Sequence, residues 1–387
     1  MKKALVILLT LAVAGGLFAQ TFTWNGAFEG GIGMRTMGDD DMIFGAVAPT
    51  NWVSGTRAQL QLSYTNADGN AGARLRFRAS GASSGFNGEP FFHQAWAWVK
   101  PFGDIVEFRG GRIHDDQLAT QDPILGTYLL NSHGIVAYIR PMDMITVGLG
   151  ATSGQVAFDA TGPTGSVGIS SGKTWENSGL AIWGGLGVNV PSLLSARVQF
   201  NTSYEVVNLI AGVQVTALEA VPINLVFRAW DLTDGDIMRM AIHGFIGVNM
   251  IDNLGITVGG AFSNRADRDD PYMAFGGWFT YALGNIVPRI DLWYVSGGAY
   301  AYGYGFNATG SNIDYATASA NPANDVMTYN KDQVYFSIRP AVQFRATAST
   351  WWELGAAINM DLGDVSAVGL AKKGTSIGFF TAARISL

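Results

Sequence analysis

The stretch SGTRAQLQLSYTNADGNAGARLRFRAS, Ser54 to Ser80, contains two alternating runs on either side of NADGN. In the first, Ala58, Leu60, Leu62 and Tyr64 alternate with Arg57, Gln59, Gln61 and Ser63. In the second, Ala73, Leu75, Phe77 and Ala79 alternate with Arg74, Arg76 and Arg78. A period of two marks a β-strand, and an Asn/Asp/Gly cluster between two such runs marks a turn. In a soluble sheet the arginine face would simply meet bulk water. In a membrane barrel the alternation has a sharper meaning. A charge on the lipid face near the midplane costs ~2–4 kcal/mol, so the arginines face a wet lumen.

Composition selects the barrel. The chain opens MKKALVILLTLAVAGGLFAQ, two lysines before an apolar run that ends near Leu17, Phe18 and Ala19. This reads as a secretory signal peptide over residues 1–19, too short and without the following charges of a membrane anchor. The chain has no cysteine, which excludes an acylated lipoprotein and a disulfide framework. Without residues 1–19 the charge is 22 Lys and Arg against 30 Asp and Glu, a net −8, which argues against nucleic-acid binding. Only 14% of the residues are charged, below the ~25% of soluble proteins, and the mean hydropathy is positive. Beyond residue 19 no uncharged apolar run is long enough for a spanning helix. An exported chain this apolar, with 50 glycines and 12% aromatics, predicts an all-β fold: a transmembrane antiparallel β-barrel over residues 20–387, without a second domain.

The rest of the chain divides accordingly. Strands are predicted near 21–36, 52–65, 71–81, 91–100, 104–113, 133–140, 143–152, 178–190, 194–203, 207–218, 222–231, 237–250, 254–264, 271–283, 286–296, 333–345, 350–361 and 375–387, eighteen in all. Every second link is short: NADGN, PFGD, PMD, VPSLLS, EAVP, MIDN, ALGN and TAST. The other links include the long ones, 37–51, 114–132, 153–177, 297–332 and 362–374. Short links at Tyr204–Val206 and Asp231–Asp236 leave a merger to sixteen strands open.

Beyond the opening stretch, Trp96 and Trp98 share a side and fit an interfacial aromatic belt, with His93, Ala95 and Ala97 on the other. Glu107 and Arg109 share a parity that Arg112 breaks, so a bulge at Gly110 and Gly111 is expected to return Arg112 to the lumen. The connection that follows carries Asp115, Asp116 and Asp122.

Four stretches carry a resemblance: TFTWNGAFEGGIG, SGTRAQLQLSYTNADGNAGARLRF, HQAWAWVKPFGDIVEFRGGRI and NSHGIVAYIRPMDMITVGLGAT. On these the sequence resembles the general bacterial outer-membrane porin family, with good coverage over residues 21–152, only in architecture beyond, and no single diagnostic motif. In that family the third extracellular loop folds into the barrel and sets acidic residues across a narrow eyelet from wall arginines. The resemblance implies eyelet duty for Arg57, Arg112 and Asp122, places His93 where the family often has arginine, and implies a homotrimer in outer-membrane lipid. Three departures stand out: Leu387 replaces a terminal aromatic, Ala27 and Glu29 stand where an inward lysine is common, and eighteen strands would look more like maltoporins.

The predicted constriction has a basic wall of Arg57, Arg74, Arg76, Arg78, His93, Arg109 and Arg112, faced by Asp115, Asp116 and Asp122 on the loop. No catalytic residue, cofactor or metal site is expected. The clusters at Asp39–Asp41 and at Asp267, Asp269 and Asp270 lack EF-hand spacing, and His93, His114, His133 and His243 form no HExxH. The function read here is a water-filled channel for passive diffusion of small hydrophilic solutes and ions. A surface adhesin or structural barrel with long loops is an alternative. A sugar-selective channel is another, suggested by Tyr300, Tyr302, Tyr304 and Phe306. A transporter for hydrophobic compounds ranks lower, because residues 20–36 read as a strand and not as a plug.

Overall fold

In the computed structural model the period-two segments pair in chain order, each antiparallel to the next, until the last returns to the first. The structure describes residues 21–37, 41–47, 56–81, 92–120, 129–153, 180–202, 207–230, 232–233, 235, 238–265, 271–296, 334–363 and 375–387. The expected signal peptide, the aromatic row at 300–306, Asp39, Asp40, Asp267, Asp269 and Asp270 lie outside them.

Twenty strands are present among the described residues. The first ten are β1 (Thr21–Met37), β2 (Asp41–Val47), β3 (Thr56–Thr65), β4 (Ala71–Gly81), β5 (Phe92–Val99), β6 (Pro101–Asp104), β7 (Val106–His114), β8 (Asn131–Met142), β9 (Ile145–Ser153) and β10 (Leu180–Val190). They continue as β11 (Leu194–Thr202), β12 (Val207–Val215), β13 (Ile223–Trp230), β14 (Arg239–Val248), β15 (Leu254–Arg265), β16 (Tyr272–Tyr281), β17 (Ile286–Ser296), β18 (Val334–Arg345), β19 (Trp351–Asp361) and β20 (Thr375–Ser386). Eighteen of them form the closed barrel, which decides the count against sixteen. The other two, β2 and β6, fall in segments read from the sequence as connections. β2 folds back on β1, pairing Gly31–Met37 where β3 pairs Thr21–Glu29. β6 lies within the PFGD turn.

Closure removes the exposed edges an open sheet would leave. β1 pairs β3 on one side and β20 on the other, and Gly26 and Leu387 exchange backbone hydrogen bonds at 2.8 and 3.2 Å across that seam. The short turns fall at one end, and the sequence suits them. In NADGN the Asn66 side-chain oxygen accepts from the amides of Asn70 and Ala71, and Gly69 takes a positive φ of 70°.

The two faces differ as the alternation requires. The outer row exposes Phe108, Leu186, Phe262, Phe275 (55%), Phe379 and Ile135 (68%). Residues paired across antiparallel strands point to the same side. The register Gln61↔Arg76, Ser63↔Arg74 and Asn25↔Gln61 therefore sends the arginines of β4 inward with the glutamines of β3. The same rule carries the inner row around the barrel, through Arg109, Arg140, Arg197, Arg228, Arg289, Arg339 and Arg384. Beside them lies an inward cluster of Trp96, Ile113, Leu118, Leu130, Val136, Tyr138 and Trp183.

Candidate functional site

The inner wall and one connection build the site together. After β7 the chain turns into the barrel, and the turn is fixed by Asp115. Its carboxylate accepts from the Gln117 and Leu118 amides at 3.0–3.2 Å and from the Tyr138 hydroxyl at 2.9 Å. Its own amide donates to the Leu130 carbonyl at 2.9 Å, tying the two described ends of the connection together. Burial raises the Asp115 carboxyl above its ordinary range, against the pull of those three donors.

Asp116 next to it bridges two arginines of the wall. Arg109 Nη1 donates to Oδ1 at 2.6 Å and Arg74 Nη1 to Oδ2 at 3.0 Å. Burial alone would raise the Asp116 carboxyl, but Arg109, Gln117 and Arg74 outweigh it and hold it below the usual range. Arg109 is the centre of the group. It is buried, with Nε donating to Glu107 at 2.5 Å and its guanidinium 4.3 Å from the Trp96 ring centroid and 4.7 Å from that of Tyr138. Trp96 also carries Arg74 on its ring at 5.0 Å. Arg140 completes the network, reaching Glu107 at 3.3 Å and Gln117 at 2.9 Å. A charge taken this far from water survives only with such partners.

Leu118, Thr120 and Leu129 of the connection lie along β9–β12. The inward residues of β11 are spaced two apart, and three of them hold its backbone. Arg197 donates to the Ala119 carbonyl. Gln199 Nε2 donates to the Leu118 carbonyl at 2.5 Å, and its Oε1 accepts from the Leu129 amide at 3.1 Å. Asn201 reaches the Leu129 carbonyl at 3.5 Å.

The residues expected from sequence fall as follows. Arg74, Arg109, Asp115 and Asp116 come together as described. Arg76 is on the same wall, donating from Nε to Gln61 at 3.0 Å, and Arg78 stands on the same inward row opposite Gln59. The backbone of Arg57 pairs with Glu29 and Ser80; its side chain, like that of His93, is outside what the structure describes. His93 is the extra residue of a bulge, since Arg76 pairs with Gln94 and Phe77 with Phe92. Asp122 lies outside the described residues.

Two expectations are corrected. No bulge interrupts β7: the register runs evenly from Phe108↔Val99 through Gly110 and Gly111 to Arg112↔Ala95. Arg112 therefore stands on the outward row, across from the exposed His133. It lies two residues from the end of β7, where an outward cation no longer has to meet the midplane. Trp96 and Trp98 are not belt residues. They pair with the inward Arg74 and Arg109, and Trp96 is 5% exposed beneath both guanidiniums.

A second charged group went unread in the sequence. On β17–β19, Arg339 joins Glu353 and Asp291, Arg289 Nε meets Asp291 at 2.6 Å, and Gln343 donates to Glu353 at 2.7 Å. Counting inward residues whose side chains are described, eleven arginines (74, 76, 78, 109, 140, 197, 228, 289, 339, 345 and 384) face six carboxylates (29, 107, 115, 116, 291 and 353). The excess is five positive charges inside a chain whose overall charge is negative.

No known protein family matches the sequence, and no curated protein matches it. Solved structures do match the fold. Pseudomonas aeruginosa OccK3 (OpdO) aligns at a TM-score of 0.54 and 9% identity over 97% of this chain and 99% of that one. Acinetobacter baumannii OccAB4 aligns at 0.53 and 9% identity over 95% and 99%. Pseudomonas aeruginosa OccK11 (OpdR) aligns at 0.52 and 8% identity over 95% and 96%. These neighbours are bacterial outer-membrane porins, and the chain shares their barrel.

Proposed function

We propose that this protein is an outer-membrane porin: a water-filled channel for passive diffusion of small hydrophilic solutes, with a preference for anions. The observation that carries the reading is the contrast of the two faces. An apolar outer row suits lipid, and an inner row whose described side chains include five more arginines than carboxylates suits water and anions. Exposed charges beyond ~8–10 Å are screened at physiological salt, so the lumen's own residues govern selectivity against the acidic remainder of the chain. The constriction is the space bounded by Arg74, Arg76 and Arg78 on the wall and Asp116 on the inward connection, where Asp116 cancels part of the field of Arg74 and Arg109.

The test is a planar-bilayer recording of the purified protein in a salt gradient. Discrete conductance steps with an anion-selective reversal potential are expected. Replacing Arg74, Arg76 and Arg78 with glutamine shifts that potential toward cations while the barrel still folds, because lumen substitutions tune selectivity more than stability. A properly inserted protein that passes no current would overturn the channel reading in favour of an adhesin or structural barrel.

A further inference from the structure

We propose that Leu118, seated in a glycine-lined pit of the lumen wall, is a latch that sets the size limit of the channel. The inference rests on the porin reading above and adds the residues that decide how far the inward connection stands from the wall.

The pit is formed by a cross-strand pair, Gly148 of β9 opposite Gly185 of β10, with Gly187 next on the same inward row. A Cβ at Gly187 would lie 2.8 Å from Leu118 Cδ2, and at Gly185 or Gly148 it would lie 2.7 or 2.9 Å from Leu118 Cδ1. Real Cβ atoms essentially never come so close, so a side chain at any of the three would force the tip of Leu118 to move, and at Gly148 the ring of Trp183 as well. Thr120 repeats the arrangement over Gly212 of β12, at 2.8 Å. Leu118 is fully buried, beside Trp183, whose Nε1 donates to Gln199 at 3.3 Å. Gln199 in turn holds the connection's backbone at Leu118 and Leu129. Glycine inside a strand gives up packing and backbone entropy. Three of them where one leucine needs room make a fitted seat, and the polar row of β11 satisfies the backbone groups that docking takes from water. Seated, Leu118 and Thr120 rest on β9, β10 and β12 while Asp116 stays bonded to Arg74 and Arg109, which fixes the distance of the segment from the wall on both sides. Unseated, the same residues no longer have a fixed distance from the wall, and the narrowest passage changes.

Gly187→Val tests the seat, because its new side chain meets the tip of Leu118 before any backbone atom. The expected result is an altered unitary conductance and a shifted size limit in liposome swelling with a graded series of sugars. Leu118→Ala shifts both as well. The double variant matches Leu118→Ala alone, since the clash and the knob are one interaction. Effects that simply add, or a Gly187→Val barrel that folds and behaves as wild type, overturn the latch. A second measurement does not depend on either variant's packing. The chain has no cysteine, so Leu118→Cys with Gly187→Cys gives a single thiol pair. A mild oxidant that removes two electrons and two protons should close a disulfide in outer membranes and hold the wild-type size limit, and a reducing agent should then change that limit. A pair that never closes overturns the latch. Failure of the wild type to conduct would instead strike the porin reading, while closure of the bridge would still report the seat.

Discussion

Asp116→Asn removes one charge from the constriction and the hydrogen bond that Oδ2 accepts from Arg74, since an amide nitrogen cannot accept. The amide is the same size, and its oxygen still accepts from Arg109, which also keeps Glu107 and the Trp96 and Tyr138 rings. The change falls on Arg74, whose side chain is 29% exposed and whose carboxylate partner becomes neutral. The excess of lumen arginines over carboxylates rises from five to six. An anion at 4 Å from a guanidinium gains about 1 kcal/mol at the dielectric of water and about 4 kcal/mol at an effective value of 20. Taking the solvated end, the anion gains and a cation loses about 1 kcal/mol each, so anion preference over cations should rise by up to roughly thirtyfold in dilute salt. In 1 M salt the Debye length shrinks to ~3 Å and the effect should nearly vanish. The assay is the reversal potential across a bilayer at both salt concentrations. A heat-dependent shift in gel mobility matching the wild type would show that the barrel is intact. An intact variant whose reversal potential at low salt is unchanged, or moves toward cations, would mean that Arg74 and Asp116 lie outside the conducting path.

Three further outcomes follow from the geometry. Arg339→Leu strips the guanidinium from Asp291 and Glu353, which are 2% and 0% exposed, and breaking a buried pair in this way should cost about 3–5 kcal/mol, read as a lower urea midpoint of unfolding. Acid should leave the inward connection docked until the pH falls below the ordinary carboxylate value of 3.8: the depressed Asp116 contributes stability that is full above 3.8 and lost only as pH falls through its lower folded value. The raised Asp115 has the opposite sign, its protonation favouring the docked state as pH falls, so a loss of docking already at pH 5 would contradict both directions. Finally, the resemblance to general porins implies three copies, so chemical cross-linking in gentle detergent should stop at a trimer; a ladder ending at the monomer would remove that claim and leave the channel.

How much of this was legible in the sequence differs between the two faces. Lipid enforces alternation, so each of the eighteen barrel strands left a period-two trace, and Arg74, Arg76 and Arg78 could be turned inward from their own run. Parity within one strand does not say which side is the lumen when both sides are mild. Trp96 and Trp98 alternate with alanines, and only their pairing with Arg74 and Arg109 sends them inward. A signal did exist: PFGD is a tight link, and folding it places Trp98 opposite Arg109. The extra residue at His93 hides the same information on the β4 side, where the connection is long. Arg112 was misplaced by applying the midplane cost at a strand end. The docking row Arg197, Gln199 and Asn201 is visible as an alternation in SARVQFNT, but its target is a backbone some 70 to 80 residues earlier, as the separations of 78, 70 and 72 show, and local pattern carries no such pairing.

The inner row divides its work by side-chain size. Along β9, β10 and β12 it is glycine that faces inward at 148, 185, 187 and 212, and there the barrel receives its own chain. Along β4, β7 and β8 it is arginine that meets the connection through Asp116 and Gln117, and on β17, β18 and β20 arginine stands on the wall again. Beneath the docked segment Gly185 and Gly187 leave room for Leu118 while Arg197 and Gln199 hold its backbone. The same period of two that keeps charge away from lipid thus supplies both the seat and the field, and Asp116 joins them: it sits two residues before the leucine that is seated and bonds the arginines that supply the field. Moving the seat must therefore also move the charge, so a latch variant such as Gly187→Val should change ion selectivity together with size, whereas Asp116→Asn should change selectivity and leave the size limit where it was.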